Sequence, residues 1–105
     1  MGWIYLILGG LFEIGWPLGM KLAQTTGMKL LYLTIAALSM ALSGYFLYLA
    51  QRTIPIGTAY IVWTGVGSIG TLIIGILFFG DSVSIFRMLS ASLIIAGIIG
   101  LKLAS

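Results

Sequence analysis

Gly9-Gly10-Leu11-Phe12-Glu13-Ile14-Gly15-Trp16-Pro17-Leu18-Gly19-Met20-Lys21 lies in an apolar run that begins at Gly2, and Glu13 is the only side chain in it before Lys21 that ordinarily carries charge at neutral pH. If that run spans a bilayer, Glu13 sits near the middle of the hydrocarbon. A charge at that depth costs about 3 kcal/mol on insertion-type scales. Leu or Ala would serve stability better, so the carboxyl group points to function. At helical spacing Gly9, Glu13, Trp16, Pro17 and Met20 share one face. That face carries a carboxylate and an indole, with Gly9 and Gly10 small enough for a ligand or another backbone to come close. We read it as a cation and proton site inside a membrane.

The composition sets the solvent. Of 105 residues, 61% are hydrophobic and only 7% are charged, with a mean hydropathy of +1.22. A soluble domain keeps roughly a quarter of its residues charged. This chain therefore lacks a polar shell for water, and lipid is its expected surrounding. The apolar character runs to the last residues, which is not the pattern of a signal peptide ahead of a mature domain. The sequence has no cysteine and no histidine. Disulfides, thiolate metal sites and the usual proton shuttle are thereby excluded, and no metal or cofactor is expected. A net charge of +3 comes from five basic residues scattered singly, which form no nucleic-acid patch. Basic residues at helix ends are the ordinary membrane-flank pattern.

A spanning helix needs about 20 apolar residues, and four such segments fit as a single domain. We expect helices at about 2–21, 29–50, 56–79 and 85–103. Trp3 and Tyr5 stand where interfacial aromatics belong. The polar runs Ala23-Gln24-Thr25-Thr26-Gly27, Gln51-Arg52-Thr53-Ile54-Pro55 and Gly80-Asp81-Ser82-Val83-Ser84 separate the segments. In the last of these Asp81 or Ser82 is the expected N-cap. Connections this short impose an up-down-up-down order.

Helix two is punctuated by Thr34, Ala37, Ser39, Ala41, Ser43 and Gly44. Small and hydroxylated residues commonly mark helix-helix contacts, and most of these read that way. Ser43 could instead donate to a buried carboxylate. On helix three, Tyr60, Trp63 and Thr64 share a face at i, i+3 and i+4. Tryptophan in mid-helix is not explained by interfacial belts, which lie at the ends. Gly65-Val66-Gly67-Ser68-Ile69-Gly70 follows, with three glycines that each weaken a helix by about 1 kcal/mol relative to Ala. Packing alone would be satisfied by Ala and Ser, which favours a hinge at Gly65-Val66-Gly67. Helix four sets Ser92, Ala96 and Gly100 four apart, with Gly97 alongside. That is a helix-association stripe rather than a site. Lys102 can snorkel to the headgroups.

Four helices of this length cannot enclose a polar pathway and also bury their own packing faces, so self-association is expected. Lys and Arg set orientation. One membrane face would hold Arg52 and Lys102, and the other Lys21, Lys29 and Arg87. So even a balance lets the chain insert both ways. Two copies in opposite orientations would bring two Glu13 side chains near one midplane, the inverted-repeat logic of larger transporters built from separate chains. The expected fold is an all-α membrane protein of four transmembrane helices, assembled as an antiparallel, dual-topology homodimer.

These residues resemble the small multidrug resistance family of proton-coupled exporters. The resemblance covers essentially the whole chain: four short-looped helices, the helix-one glutamate, Ile56-Gly57-Thr58-Ala59-Tyr60 and Gly65-Val66-Gly67. Glu13-Ile14-Gly15-Trp16 followed by Lys21 resembles the guanidinium exporter branch, whereas the multidrug branch typically has threonine where Trp16 stands. Trp63-Thr64-Gly65, the small Ser68 and Gly70, and Lys102 are similar to the same branch. Pro17 departs from it, since a small residue such as Ala is expected there, and the turn between helices one and two is slightly longer. The resemblance implies that Glu13 binds substrate and protons in turn, that Ser43 and Trp16 support it, and that Tyr60 and Trp63 line the pocket. It implies a Gly65-Val66-Gly67 kink that makes two subunits asymmetric. It further implies a multi-pass antiparallel dimer in the bacterial inner membrane, exporting guanidinium-type cations against inward proton flow.

The chemistry agrees. Guanidinium is planar, matches a carboxylate bidentately and stacks on aromatic faces, tryptophan best. Burial and a second carboxylate each disfavour the charged form of a carboxyl group, and such a pair titrates as a unit. A site tuned in that way holds a proton or a cation, not both, and the exclusion couples proton entry to cation exit. Other readings are a broader quaternary-ammonium exporter, one half of a paired heterodimer with a sister subunit, or a structural or regulatory membrane subunit. No catalytic constellation supports an enzyme.

Overall fold

The computed structural model describes residues 2–104 and consists of α1 (Gly2–Thr25), α2 (Lys29–Ala50), α3 (Ile56–Phe78) and α4 (Ile85–Ala104). All four are long and apolar enough to cross a membrane. No strand occurs among the described residues. Three helix ends differ from the expected ones, α4 only by reaching Ala104 instead of residue 103. Helix α1 continues past Lys21, because Ala23 and Gln24 are compatible with helix and Ala23 is buried. The hydroxyls of Thr25 and Thr26 donate to the carbonyls of Lys21 (3.1 Å) and Leu22 (2.7 Å). The Leu22 carbonyl also accepts from the Thr26 amide at 2.9 Å, so the last turn is held by side chain and backbone together. Helix α3 stops at Phe78, one residue before the expected end. The amides of Phe79 and Asp81 both donate to the Gly75 carbonyl, at 3.1 and 3.0 Å. Gly80, the one described residue with positive φ (70°), permits that reversal. The cap of α4 is also not the expected one. Ser84, rather than Asp81 or Ser82, accepts from the Arg87 amide at 3.2 Å, which is the N-cap to N3 relation. Ser82 Oγ instead accepts from the Arg87 guanidinium at 3.0 Å.

Helix α1 is the centre of the protomer. It packs against α2 on one side and α3 on the other, while α4 packs along α3. The glycine side of α1 makes this possible. A Cβ at Gly10 would fall 2.5 Å from Val66 Cβ, and one at Gly19 would fall 2.9 Å from the Tyr32 carbonyl oxygen. The small core consists of Leu6, Ala50, Ile54, Ala59 and Val62, backed by Trp3, Trp63 and Val66. Phe46 of α2 stacks on Phe12 (5.7 Å, 9°) and on Tyr5 (6.2 Å) of α1. At one end of the bundle Lys102 Nζ lies 5.0 Å from the centre of the Trp3 ring, which ties the last turn of α4 to the first of α1.

The Cα envelope measures 45 × 34 × 16 Å. The shortest extent is less than half of either other one, so the protomer is a plate. No residue of α4 is buried. Ser92, Ala96, Gly97 and Gly100 lie exposed on it, and a Cβ at Gly97 or Gly100 would meet nothing within 4 Å. The small-residue stripe is therefore not used to pack α4 against the rest of its own chain.

Candidate functional site

One face of the plate carries a cleft of about 580 Å³, lined by Glu13, Trp16 and Pro17 of α1, Met40 of α2, and Tyr60, Trp63, Thr64, Gly67, Ser68 and Thr71 of α3. Glu13 and Trp16 are one helical turn apart, and the indole Nε1 donates to Glu13 Oε1. The other carboxylate oxygen, Oε2, is buried and has no hydrogen-bond partner. Such an atom is costly to leave unpaired, so a hydrogen-bond donor brought to it gains a full interaction. Pro17 lacks an N–H, so it supplies no helical donor to the Glu13 backbone carbonyl. The main chain of Glu13 thus offers a second acceptor near the carboxylate.

Gly67 is what lets the carboxylate side chain lie where it does. A Cβ there would stand 2.5 Å from Glu13 Cγ and 2.8 Å from Glu13 Cβ, well inside van der Waals contact. Gly65 faces α4, where a Cβ would fall 2.6 Å from Ile98 Cδ1, and Gly70 faces the Ile14 side chain. The expectation that Ala or Ser would satisfy packing at these positions is therefore wrong: each glycine is occupied by a side chain of a neighbouring helix. Helix α3 is continuous through all three.

The aromatic wall is set by a serine. Ser43 of α2 is 1% exposed. Its hydroxyl donates to the Gly9 carbonyl at 2.7 Å and accepts from Trp63 Nε1 at 2.8 Å. The proton that the sequence reading offered to Glu13 is thus committed to α1 backbone, and Ser43 holds Trp63 instead. The Trp63 ring in turn lies 5.6 Å from the Tyr60 ring, tilted by 43°. Gly9 completes this cluster, since a Cβ there would fall 3.0 Å from Trp63 Cδ1 and 3.1 Å from Phe46 Cβ.

Of the residues expected at the site, the structure brings Glu13, Trp16, Pro17, Tyr60, Trp63 and Gly67 to the cleft. Ser43 and Gly9 lie behind Trp63. Gly10 and Val66 form the α1–α3 contact, and Gly65 the α3–α4 contact. Met20, placed on the Glu13 face by spacing, is exposed and outside the cleft lining. Met40, Ser68 and Thr71 were missed, and Thr64 was noted only as sharing the Tyr60 face. Thr64, Ser68 and Thr71 continue that face at i+4, i+8 and i+11 from Tyr60, a helical periodicity visible in the sequence. Met40 carried no such signal, because nothing local tells which face of α2 meets α1. No group of metal-ligating side chains occurs among the described residues.

Comparison with known proteins agrees along the length of the chain. The family model described as Small Multidrug Resistance protein matches residues 1–94. A protein of Yersinia pseudotuberculosis named guanidinium exporter is 48% identical over 105 residues, covering all of both chains. One of Citrobacter freundii with the same name is 47% identical over 106 residues, covering all of this chain and 99% of that one. One of Proteus vulgaris, also so named, is 48% identical over 106 residues and is covered completely.

Proposed function

The chain belongs to the small multidrug resistance family, and from that premise and the chemistry of the cleft we propose that it exports guanidinium or small substituted guanidinium cations in exchange for protons. The observation that carries this reading is Glu13 Oε2, a buried carboxylate oxygen without a partner, beside Trp16, Tyr60 and Trp63. Guanidinium supplies what that oxygen lacks, a forked set of N–H donors on a flat cation that stacks against indole and phenol rings. A proton on the same carboxyl group removes the charge the cation needs. Occupancy by one excludes the other, and that exclusion is the coupling. The naming of the relatives as guanidinium exporters favours the same substrate class.

Alternating access is assigned to an antiparallel homodimer in the bacterial inner membrane. The plate-like protomer supports it, because a cleft on one face of a 16 Å slab is closed only by a second wall. The exposed Ser92, Ala96, Gly97 and Gly100 stripe on α4 is a surface of the kind on which membrane helices associate. The basic residues divide between the ends, Arg52 and Lys102 at one and Lys21, Lys29 and Arg87 at the other, a balance that permits both orientations. Gly65-Val66-Gly67 is the segment assigned to bend as the protomers exchange conformations. In that exchange Gly67 would carry the Glu13 contact with it.

The test is transport in proteoliposomes, with guanidinium beside a bulky quaternary ammonium ion and an imposed proton gradient. Guanidinium should be concentrated against its gradient at the expense of protons, and Glu13→Gln should abolish both binding and coupling while the protein still assembles. Proton-driven guanidinium movement by purified Glu13→Gln would falsify the assignment. A preference for the quaternary ion would move the chain to the multidrug reading.

A further inference from the structure

Beyond the cleft, towards the end of the bundle where α1 and α3 finish, lies a second cavity of about 270 Å³. Pro17 and Thr71 line both. Its walls are otherwise apolar, built from Ile14 and Leu18 of α1 and from Ile74 and Phe79, and its charged side chains are Lys21 and Asp81. Both of these are exposed. Neither side chain has a hydrogen-bond or ion-pair partner among the described residues, so they line one cavity without pairing across it.

Asp81 is the only acid besides Glu13, and Gly80 and Gly75 place it. Gly80 turns the chain back at a φ of 70°, and the Asp81 amide then donates to the Gly75 carbonyl at 3.0 Å. The carboxylate lies against Gly75, where a Cβ would fall on Asp81 Oδ2. The acid is thus folded back over α3 and onto the cavity. Lys21, Lys29 and Arg87 stand near helix ends on this side of the bundle, and basic residues so placed mark the headgroup layer. From Lys21 back to Ile14 the apolar wall runs inward by roughly 10 Å, at 1.5 Å per residue.

We propose that this cavity is a lipid site selective for a phospholipid with a primary-amine headgroup, of the phosphatidylethanolamine type. Lys21 takes the phosphate, Asp81 takes the ammonium, and the wall takes the start of an acyl chain. Basic side chains at the membrane interface are the usual partners of lipid phosphate. The amine class follows from Asp81. A primary ammonium offers N–H donors to a carboxylate, whereas a quaternary choline offers none. An anionic headgroup would meet Asp81 as a like charge, which is unfavourable.

The experiment is native mass spectrometry of the purified full-length protein, titrated with phosphatidylethanolamine, phosphatidylcholine and phosphatidylglycerol of identical acyl chains. It reads the ratio of ethanolamine to choline lipid bound by each variant, in which a general loss of folding cancels. In the unaltered protein the ratio should favour the ethanolamine lipid. Asp81→Asn should lower it about threefold, in the range of an exposed ion pair. Gly75→Ala keeps every charge but displaces the carboxylate, and should lower it likewise. Lys21→Gln should weaken both lipids and leave the ratio alone, since the phosphate is common to them. Glycerophosphoethanolamine, the headgroup without its chains, should not displace the lipid at equal concentration. A ratio that Asp81→Asn or Gly75→Ala leaves unchanged overturns the proposal. So does Lys21→Gln without effect on either lipid, or displacement by the chainless headgroup. A preference for phosphatidylglycerol also overturns it, and would assign lipid binding at this end to the basic residues alone.

Discussion

Ser43 does not reach the carboxylate, so its effect on cation binding should pass through Trp63, and that route can be measured. Replacing Ser43 by Ala removes both bonds of a side chain that is 1% exposed, the 2.7 Å bond to Gly9 and the 2.8 Å bond from Trp63. The Gly9 carbonyl lies within α1 and keeps its helical position, so the larger cost falls on the indole N–H, left buried without an acceptor. Such a group costs about 1–3 kcal/mol. At about 2 kcal/mol, and 1.4 kcal/mol per factor of ten, guanidinium affinity should fall by more than tenfold if Trp63 leaves its place to find another partner. Trp63→Phe has no N–H to strand and leaves Ser43 still donating to Gly9. In that background Ser43→Ala should therefore cost little more. A double-mutant cycle of guanidinium Kd values should give a coupling close to the whole Ser43→Ala effect. Additivity to within about 0.5 kcal/mol, the expectation for independent sites, would refute the relay.

Three further outcomes are expected. Gly67→Ala should disable binding out of proportion to its effect on stability, because overpacking costs about 1–3 kcal/mol while the helix gains about 1 kcal/mol from Ala, yet the Cβ falls directly on the Glu13 side chain; guanidinium titration beside thermal melting reads both, and unchanged affinity would show that Glu13 does not act from this position. Both orientations of the chain should be found in cells by accessibility labelling at the two ends, and adding a pair of lysines at one terminus should fix one orientation and reduce activity; a single orientation in the unaltered, active protein rules out the antiparallel dimer. Pro17→Ala should shift the preference between guanidinium and its substituted forms more than it shifts Tm, since Pro17 lines both cavities; unchanged relative affinities alongside a changed Tm would make the proline structural only.

The membrane fold was legible because it depends on totals. Four runs of the required length separated by polar residues leave few arrangements, and the four helices lie where hydropathy puts them. The ends were less legible because they depend on single bonds. Nothing in the hydropathy of Ala23-Gln24-Thr25 shows that the Thr25 and Thr26 hydroxyls fold back onto α1 carbonyls, nor that the serine nearest α4 is the one to cap it. Within α1, spacing alone grouped Glu13 with Trp16 and Pro17, because all three are fixed by one helical repeat.

What spacing cannot supply is the rotation of one helix against the next, and the site is made there. The same sequence fact, Ser43 in mid-helix, fits a bond to Glu13 or a bond to Trp63, and only the approach of α2 to α1 at Gly9 selects the second. Gly67 shows the same in reverse. Its cost to a helix is known in advance, and a hinge was the local explanation for accepting it. The structure supplies a cause from outside the helix: the glycine leaves room for the Glu13 Cβ and Cγ. That cause does not compete with bending. If α3 flexes at Gly65-Val66-Gly67, the element that moves is the one in contact with the carboxylate, so a change in helix shape necessarily changes the surroundings of Glu13. On the proposal that α3 bends there, coupling between conformation and occupancy requires no intermediary, because Gly67, which makes the packing contact, lies within the proposed hinge.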